Sequence, residues 1–335
     1  MKVLVTGGGG FVGGAVARVL RRHGHEVRSL SRREHPELAQ HGVGEVPGDL
    51  LDFDSVRAAC RGADAVVHCA AKVGLWGPLE EFHKANVTGT GNVLRACQEL
   101  GIRKLVYTSS PSVVFDGRDV EGWDESAPYS RSFDSFYSRT KATAEEMVLS
   151  SNTASFATVA IRPHLVWGPG EDKLVSRLLA KARNGELRRI GTLNKKVDST
   201  YVDDAAEAHR LALDRLEPRS PVAGRAYFIS AGEPRPVWDV VNDILAAAGL
   251  PPVTAAVSSL AARLAAWGYE TFYAAAGKAE EPPLTRFLVQ QLTTAHWFDI
   301  SAARRDLGYS PQVPFEAALE RLRVWLAQKS ERSEG

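Results

Sequence analysis

The fold of this chain is decided by its N-terminal stretch, Lys2-Val3-Leu4-Val5-Thr6-Gly7-Gly8-Gly9-Gly10-Phe11-Val12-Gly13-Gly14. A short β-branched and aliphatic run ends at a glycine loop, and a helical pattern rich in Ala, Val and Leu follows at residues 15–20. The order strand, glycine turn, helix places backbone N–H groups and a helix N-terminus against a pyrophosphate. We expect Gly7 to allow the tight turn, Gly10 the close approach to phosphate, and Gly13 the packing of helix on strand.

Strands alternate with helices over residues 1–163, which is the pattern of a Rossmann-type, doubly wound parallel sheet in an α/β protein. Within this nucleotide-binding domain we expect residues 80–100 to form one helix. Beyond it, helices alternate with short isolated strands, which predicts a smaller, mostly helical substrate lobe over 164–327, with part of the chain returning to the sheet. Residues 328–335 are charged and have nothing to bury, so we expect a disordered tail.

Composition excludes several classes of protein. The 335 residues carry 41 basic and 40 acidic side chains, which gives no electrostatic argument for nucleic acid or an anionic membrane. The three cysteines, Cys60, Cys69 and Cys97, have no metal-type spacing and form an odd set, so we expect no metal site and a reduced, cytoplasmic environment. The N-terminus enters a strand directly, and no apolar run approaches the ~18 residues needed to span a bilayer. We therefore expect a soluble protein.

The second strand favours one dinucleotide over the other. It ends Leu30-Ser31-Arg32-Arg33. A carboxylate at this position bonds the adenosine ribose of NAD, whereas Arg beside a small neutral residue accommodates the extra phosphate of NADP. Ser31 is neutral, and the guanidiniums of Arg32 and Arg33 suit bidentate phosphate contact. The pattern therefore predicts that NADP(H) is preferred and leaves NAD(H) open, with two solvated surface charges as the alternative interpretation.

Tyr137 and Lys141 supply candidate proton chemistry. They are four residues apart on a predicted helix and share one face. A phenol with a pKa of ~10 exchanges protons poorly at neutral pH, but a neighbouring ammonium favours the phenolate; lowering the pKa by ~3 units needs about 4 kcal/mol. Hydroxyls at 108–110 follow a predicted strand and therefore lie at the carboxyl edge of the sheet, where ligands bind. This arrangement suits proton transfer to or from a substrate oxygen.

Eight motifs together resemble the extended short-chain dehydrogenase/reductases: residues 6–13, 49–50, 68–71, 86–90, 107–110, 137–141, 161–163 and 197–204. Within that superfamily the chain is similar to the 3β-hydroxysteroid dehydrogenase family. Residues 107–115 and 162–170 resemble both sterol-4α-carboxylate 3-dehydrogenases and bacterial 2-alkyl-3-oxoalkanoate reductases, and residues 72–77 and 281–288 resemble the latter. The resemblance runs over nearly the whole chain.

The resemblance implies site roles. Tyr137 is the proton donor or acceptor, Lys141 tunes it and bonds the nicotinamide ribose, and Ser110 orients the substrate oxygen. Ser109 is the second choice for that last role and is expected to be a satisfied turn hydroxyl. Together with the glycine loop and the second strand, the resemblance gives a cofactor-binding set of Gly7, Gly10, Phe11, Val12, Gly13, Ser31, Arg32, Arg33, Asp49, Leu50, Ala70, Ala71, Lys72, Tyr137, Lys141 and Pro163.

The resemblance also implies an NAD(P)-dependent oxidoreductase acting on CH–OH or C=O groups of a large hydrophobic molecule, a long-chain β-keto acid or a sterol. The favoured reaction is NADPH-dependent reduction of a 2-alkyl-3-oxoalkanoate. The alternative is a 3β-hydroxysteroid or sterol-4α-carboxylate dehydrogenase, which the neutral Ser31 and the lack of a long hydrophobic insertion disfavour. A third alternative, a dinucleotide sensor without catalysis, is disfavoured by the intact Tyr137 and Lys141. A homodimer is left open by analogy.

Several aromatic and histidine residues have open roles. Residues 260–276 are rich in Ala and aromatics, and we expect either a lid helix packed on the core or a surface for a greasy substrate or a membrane. Trp76, Trp123, Trp167 and the aromatics of 267–273 are candidate liners of the substrate pocket, with a place in the plain core as the more common alternative for each. His68 and His164 are expected to support the site from the core rather than to catalyse.

Overall fold

The computed structural model describes residues 1–171 and 173–334. In chain order the strands are β1 (Lys2–Thr6), β2 (Glu26–Ser31), β3 (Gly44–Pro47), β4 (Ala65–His68), β5 (Lys104–Thr108), β6 (Val120–Trp123), β7 (Ala157–Pro163), β8 (Val166–Trp167), β9 (Arg189–Ile190), β10 (Lys196–Val197), β11 (Thr200–Tyr201), β12 (Arg225–Ile229), β13 (Arg235–Pro236), β14 (Ala256–Val257) and β15 (His296–Phe298). Seven of them form one parallel sheet.

Helices cover both faces of that sheet and build most of the second lobe. They are α1 (Phe11–Arg22), α2 (Pro36–Ala39), α3 (Phe53–Cys60), α4 (Leu79–His83), α5 (Gly89–Glu99), α6 (Phe136–Ser150), α7 (Leu174–Arg183), α8 (Val202–Arg215), α9 (Val237–Ala247), α10 (Ser259–Ala275), α11 (Arg286–Thr293) and α12 (Phe315–Glu334). Two π-helical turns, Lys84–Thr88 and Ala303–Leu307, and a 3-10 turn, Pro111–Val113, complete the described elements.

The main sheet has the strand order β12-β7-β5-β4-β1-β2-β3, with every neighbouring pair parallel. The order reverses between β1 and β4, and ligands bind outside the carboxyl ends of strands at such a switch point. Thr6 pairs with His68, and Thr108 pairs with Ile161. The register therefore brings the ends of the central strands together, and the predicted Rossmann-type fold is confirmed.

The strands read as continuous apolar runs because both faces of the sheet are covered. Alternate residues of β1 enter different cores: Val3 and Val5 join the cluster under α1 and α8, whereas Leu4 joins the cluster under α3, α5 and α6. The second half of the chain contributes to this domain as well, since β12 pairs with β7 and α8 packs on α1. The remaining helices α7, α9, α10 and α11 stand beside the carboxyl edge.

The predicted helix over residues 80–100 is confirmed: α4, the π-helical turn Lys84–Thr88 and α5 follow one another without a break, and Asn86 in that turn reaches across to the backbone of Lys72. The C-terminal segment differs from its prediction. Over residues 328–334, where we expect disorder, α12 continues, and Lys329 lies over the ring of Trp325 with its ammonium 4.9 Å from the ring centroid. Extending an existing helix avoids the cost of nucleating one. Gly335 lies outside the described residues.

Candidate active site

The glycine loop after β1 is shaped as a cradle. Gly7 has φ +70, and a Cβ there would lie 2.7 Å from Cα of Ala70. A Cβ at Gly13 would lie 2.2 Å from the carbonyl oxygen of Gly7, so α1 packs directly on the loop. Gly10 begins α1 with no side-chain cap and with no acidic residue in the first turn. The partial positive charge of this helix end is therefore free to face an anion, which fits a pyrophosphate.

The end of β2 carries two free cations beside this loop. Arg32 and Arg33 are exposed, and neither makes an ion pair with another residue of the described ranges. Ser31 lines the same cleft and presents no charge. The imidazole of His35 covers Gly9, where a Cβ would lie 1.9 Å from its Nε2. Ser31 puts no carboxylate at the end of β2 itself, and the carboxylate of Glu37, which also lines the cleft, lies 3.2 Å from the ring of His35.

Asp49 and Leu50 line the cleft, and so do residues 69–72, which follow β4. Ala70 donates its N–H to Thr6 Oγ1 at 3.2 Å, which ties the loop after β4 to the end of β1. Lys72 follows, and its ammonium is 2.6 Å from a carboxylate oxygen of Glu81. The small side chains at this point leave room for a flat ring against the backbone.

The candidate proton-transfer residues meet at the carboxyl end of β5. Tyr137 and Ser110 both line the cavity there, and the Ser110 hydroxyl, which accepts the N–H of Ser112 at 3.2 Å, is near enough to lower the pKa of the phenol. Lys141 is 2% exposed, donates from Nζ to the carbonyl oxygen of Thr108 at 2.5 Å, and lies 4.0 Å from the centroid of the Tyr107 ring. The spacing of four residues does place the phenol and the ammonium on one face of α6.

The pKa of Tyr137 departs from the expected direction. Burial raises it to about 12, although the hydrogen bond from Ser110 opposes the rise. Burial also lowers the pKa of Lys141 to about 7, and Glu145 and Cys69 oppose that fall. Desolvation disfavours the charged form of both groups, so in this chain it outweighs the mutual stabilisation of phenolate and ammonium. Among the described residues alone, the phenol stays protonated at neutral pH.

A chain of hydrogen bonds connects the cofactor loops beneath the site. Thr90 Oγ1 donates its only proton to the carbonyl oxygen of Asn86 at 2.6 Å, so it must accept from Nε2 of His68 at 3.0 Å. His68 Nδ1 then accepts from Thr6 Oγ1 at 2.6 Å. Burial lowers the pKa of His68 to about 3, so the ring stays neutral. His68 is therefore a buried connector rather than a catalyst.

Asn86 carries the chain onward to the catalytic helix. Its Oδ1 accepts from the N–H of Lys72 at 2.7 Å, and its Nδ2 donates to Thr140 Oγ1 at 3.0 Å. Thr140 in turn donates to the carbonyl oxygen of Phe136 at 2.8 Å, with that of Tyr137 3.0 Å away. Loop 70–72 and α6 are thus held in one arrangement. Asn86 belongs to one of the motifs that carry the family resemblance, but the sequence gives no sign of this continuous path.

The segment after Pro163, residues 164–165, is also fixed by contacts with other parts of the chain. His164 donates its N–H to the carbonyl oxygen of Ile229 at 2.9 Å, and its ring Nε2 is 2.8 Å from Nδ1 of His296. Leu165 has φ +40, an uncommon conformation for a branched residue. Burial, together with the neighbouring His296, lowers the pKa of His164 well below its ordinary value. The histidine pair is neutral and braces the strand end.

One cavity of about 2410 Å³ unites these parts. Every predicted catalytic and cofactor-binding residue lines it, from the glycine loop and Arg33 at one end to Ser110 and Pro163 in the middle. The rest of the wall combines apolar side chains, such as Leu178, Val240, Ile244, Phe287 and Leu288, with charged residues of α7 and of the segments that flank it. The cavity can therefore hold a dinucleotide and a large apolar molecule side by side.

The structure reduces the candidate aromatic liners to one, and the expectation for Ser109 is wrong. Of the candidate aromatic liners only Tyr269 borders the cavity; Trp167, for example, packs against Tyr201 and Phe315 in the core. The hydroxyl of Ser109 is buried without a hydrogen-bond partner among the described residues, so it is not a satisfied turn group. Aliphatic liners carry no motif, which is why the sequence does not reveal them.

Helix α10 forms part of the cavity roof. Ala261, Ala265 and Tyr269 line the cavity. The outer side of the helix leaves Leu260, Leu264, Trp267 and Phe272 exposed. None of the helices described is both long and apolar enough to cross a membrane. Peripheral membrane contact through α10 stays a prediction.

Comparison with known proteins identifies the family of this chain. The model of the 3-beta hydroxysteroid dehydrogenase/isomerase family matches residues 4–258. The chain belongs to this family. A 2-alkyl-3-oxoalkanoate reductase of Stenotrophomonas maltophilia is 50% identical over 97% of this chain and 99% of the relative, and one of Shewanella oneidensis is 44% identical over 96% and 85%. A 3-beta-hydroxysteroid dehydrogenase of Mycolicibacterium neoaurum is 35% identical over 95% and 89%.

Solved structures agree on the fold. The crystal structure of gox2253 is 30% identical and superposes with a TM-score of 0.78 over 98% of each chain. The UDP-glucose 4-epimerase of Thermus thermophilus in complex with NAD is 25% identical, with a TM-score of 0.74 over 98% of this chain and 99% of the epimerase. The predicted membership of the extended short-chain dehydrogenase/reductases and of the 3β-hydroxysteroid dehydrogenase family is confirmed. The protein is an NAD(P)-dependent oxidoreductase.

Proposed function

We propose that this enzyme reduces a 2-alkyl-3-oxoalkanoate to the 2-alkyl-3-hydroxyalkanoate with NADPH. The observation that carries the proposal is the phenol of Tyr137, which lines a cavity together with Ser110 and Lys141, with many aliphatic side chains in the rest of its wall. The relatives at 50% and 44% identity bear the name of this activity, and each matches nearly the whole chain. A ketone carbon between two alkyl chains fits a polar point of reaction within apolar surroundings.

The residues of the chain define the proton path. A bound NADPH would supply the hydride to the ketone carbon. Tyr137 gives its proton to the developing alkoxide, and Ser110 donates a hydrogen bond to the same oxygen, so both interactions strengthen as charge appears. A phenol that stays protonated at neutral pH is suited to be the donor in reduction, and the cation of Lys141 stabilises the phenolate left behind.

The preference for NADPH rests on the end of β2. The phosphate on the adenosine ribose would meet Arg32 and Arg33, which have no carboxylate partner, while the glycine loop and the uncapped start of α1 would hold the pyrophosphate. Ser31 offers no carboxylate to the ribose hydroxyls of NADH. We therefore assign NADPH as the physiological cofactor and NADH as a weaker substitute.

Oxidation of a 3β-hydroxysteroid is the second candidate. The cavity volume of about 2410 Å³ exceeds what a dinucleotide needs, and a relative at 35% identity bears the name 3-beta-hydroxysteroid dehydrogenase. Steady-state rates decide between the two: reduction of racemic 2-alkyl-3-keto acids with NADPH and with NADH, and oxidation of a 3β-hydroxysteroid with NADP⁺ and with NAD⁺. We expect fast NADPH-dependent reduction of the keto acids. Strong NAD preference with a 3β-hydroxysteroid in the oxidative direction would overturn the assignment.

A further inference from the structure

Glu145 continues the face of α6 that carries the proton-transfer pair. Tyr137, Lys141 and Glu145 are spaced four residues apart, so all three lie on one side of the helix. The side chain of Glu145 is 0% exposed. A carboxylate is rarely buried so completely unless cations and hydrogen-bond donors compensate its lost hydration. Its surroundings therefore define what it does.

Two neighbours hold the Glu145 carboxylate in a fixed place. Arg162 donates from Nε to Oε2 at 3.0 Å and from Nη2 to Oε1 at 2.5 Å. Tyr129 donates its hydroxyl proton to Oε1 at 2.8 Å. The two-pronged contact with Arg162 fixes the orientation of the carboxylate as well as its position. Because Arg162 immediately precedes Pro163, the charge is anchored to the strand end that borders the cavity.

Lys141 has few sources of negative charge around it. The titratable groups that face its ammonium are Tyr137 and Glu145 on α6, Tyr107 on β5, His68 and Cys69 at the end of β4, and His209 on α8. Burial holds the pKa of His68 at about 3 and that of His209 at about 4, and it raises the pKa of Cys69 to about 11. At neutral pH, Glu145 is therefore the anion within this described group.

We propose that Glu145 is a positioning residue that keeps Lys141 protonated at the working pH of the enzyme, acting through its fixed buried charge. This inference rests on the proposed function, in which cationic Lys141 assists proton transfer by Tyr137. The direction of the lysine shift agrees: burial lowers the pKa of Lys141 to about 7, and Glu145 opposes that fall. Without the carboxylate, Lys141 loses its proton at a lower pH.

The decisive variant is Glu145→Gln, which removes the charge and retains an oxygen for Tyr129. The measurement is kcat/KM for NADPH-dependent keto-acid reduction across the pH range. We expect the pH at which kcat/KM falls on the alkaline side to decrease by about one unit. Above that pH the loss of kcat/KM is about tenfold, and at lower pH kcat/KM changes little. Glu145→Asp keeps the charge, so the pH at which kcat/KM falls should return most of the way to that of the wild type.

Tyr129→Phe is the matched control. It removes one hydrogen bond to the same carboxylate and changes no charge, so the pH at which kcat/KM falls stays where it is in the wild type. If Glu145→Gln instead lowers activity evenly at every pH, as a loosened core would, the carboxylate has only a structural role. That outcome overturns the proposal.

Glu145→Gln leaves Arg162 buried without a counter-ion, which can prevent folding. The double variant Glu145→Gln/Arg162→Gln removes both charges. Its kcat/KM must also fall at a lower pH than that of the wild type. A second readout needs no substrate: the pH at which the Lys141 amine itself titrates, followed by NMR of enzyme with ¹³C-labelled lysine and assigned against Lys141→Met. Loss of Glu145 lowers this pH; an unchanged pH contradicts the proposal. Failure of every keto acid as substrate counts against the proposed function alone, because this titration still decides the role of Glu145.

Discussion

The two ends of the cavity are built in opposite ways. Below Tyr137, buried polar groups are joined in sequence, as in the path from Thr6 through His68 to Thr90. Helix α10, over the other end, buries little more than Ala262 and Ala266. Proton and hydride transfer need fixed geometry, so residues there are restricted and leave motifs. An apolar roof needs only bulk and shape, so its sequence is free to vary and predicts little.

Changes at the end of the cavity around Tyr137, which we call the fixed end, have the largest expected effect. Tyr137→Phe removes the proton donor and leaves the ring, so we expect kcat to fall about a thousandfold while the Kd for NADPH changes less than about twofold. Steady-state rates and a fluorescence titration of bound NADPH measure the two quantities. Tyr269→Phe, which removes a phenol hydroxyl from the roof of the same cavity, should leave kcat near that of the wild type. A fully active Tyr137→Phe enzyme would remove the proposed mechanism.

The adenosine end tests the cofactor assignment. Replacing Arg32 and Arg33 together by Ser removes two charged donors, and each charge-assisted contact contributes about 1.5–3 kcal/mol before solvent weakens it. We expect the Kd for NADPH to rise about 10- to 100-fold and that for NADH to stay unchanged. Arg22→Ser, an exposed arginine at the end of α1 away from the cavity, is the control for lost surface charge. Equal weakening of both cofactors would contradict a phosphate contact.

The neutral buried histidines make the fixed end sensitive to acid. Burial lowers the pKa of His68 to about 3 and of His209 to about 4, whereas an unfolded histidine titrates near 6.5. Below about pH 6.5 the unfolded chain therefore binds more protons, and stability is lost as the pH falls. Between about pH 6.5 and 5.5 we expect the free energy of unfolding to drop by about 2 kcal/mol for the pair.

Urea unfolding at a series of pH values measures this slope. His68→Asn lowers stability at neutral pH but should reduce the drop over this interval by about 1 kcal/mol, since one of the buried histidines no longer titrates. A wild-type free energy of unfolding that stays level across this interval would mean that the rings take up protons without leaving the core.

Local patterns explain how much of the site the sequence predicts. The turn at Gly7 and the pairing of Tyr137 with Lys141 depend on neighbours within a few residues, and both are present in the structure. The sheet order follows from alternating strands and helices, because parallel strands need crossovers of one hand. Long-range partners are different: Arg162 is 17 residues from Glu145, and Thr6 is 62 residues from His68. Only folding brings such pairs together.

Burial explains why the sequence does not predict the pKa of Tyr137 or the position of Trp167. The spacing of Tyr137 and Lys141 suggests a phenol made more acidic, but desolvation raises its pKa to about 12. A sequence shows which charges are near one another along a helix and does not show how much water remains around them. The same holds for Trp167, whose size suggests a pocket wall and whose indole is 3% exposed in the core.

The roof helix gives the smallest expected effect. Leu260 and Leu264 are 68% and 61% exposed, so replacing both by Ser should change the free energy of unfolding by less than about 0.5 kcal/mol. Ala266 is 0% exposed, and Ala266→Leu should cost about 1–3 kcal/mol through overpacking. Urea unfolding compares them, and sedimentation with lipid vesicles tests Trp267→Ser for membrane contact. If the exposed pair costs as much as the buried site, another part of the molecule or a second copy covers the outer side of α10.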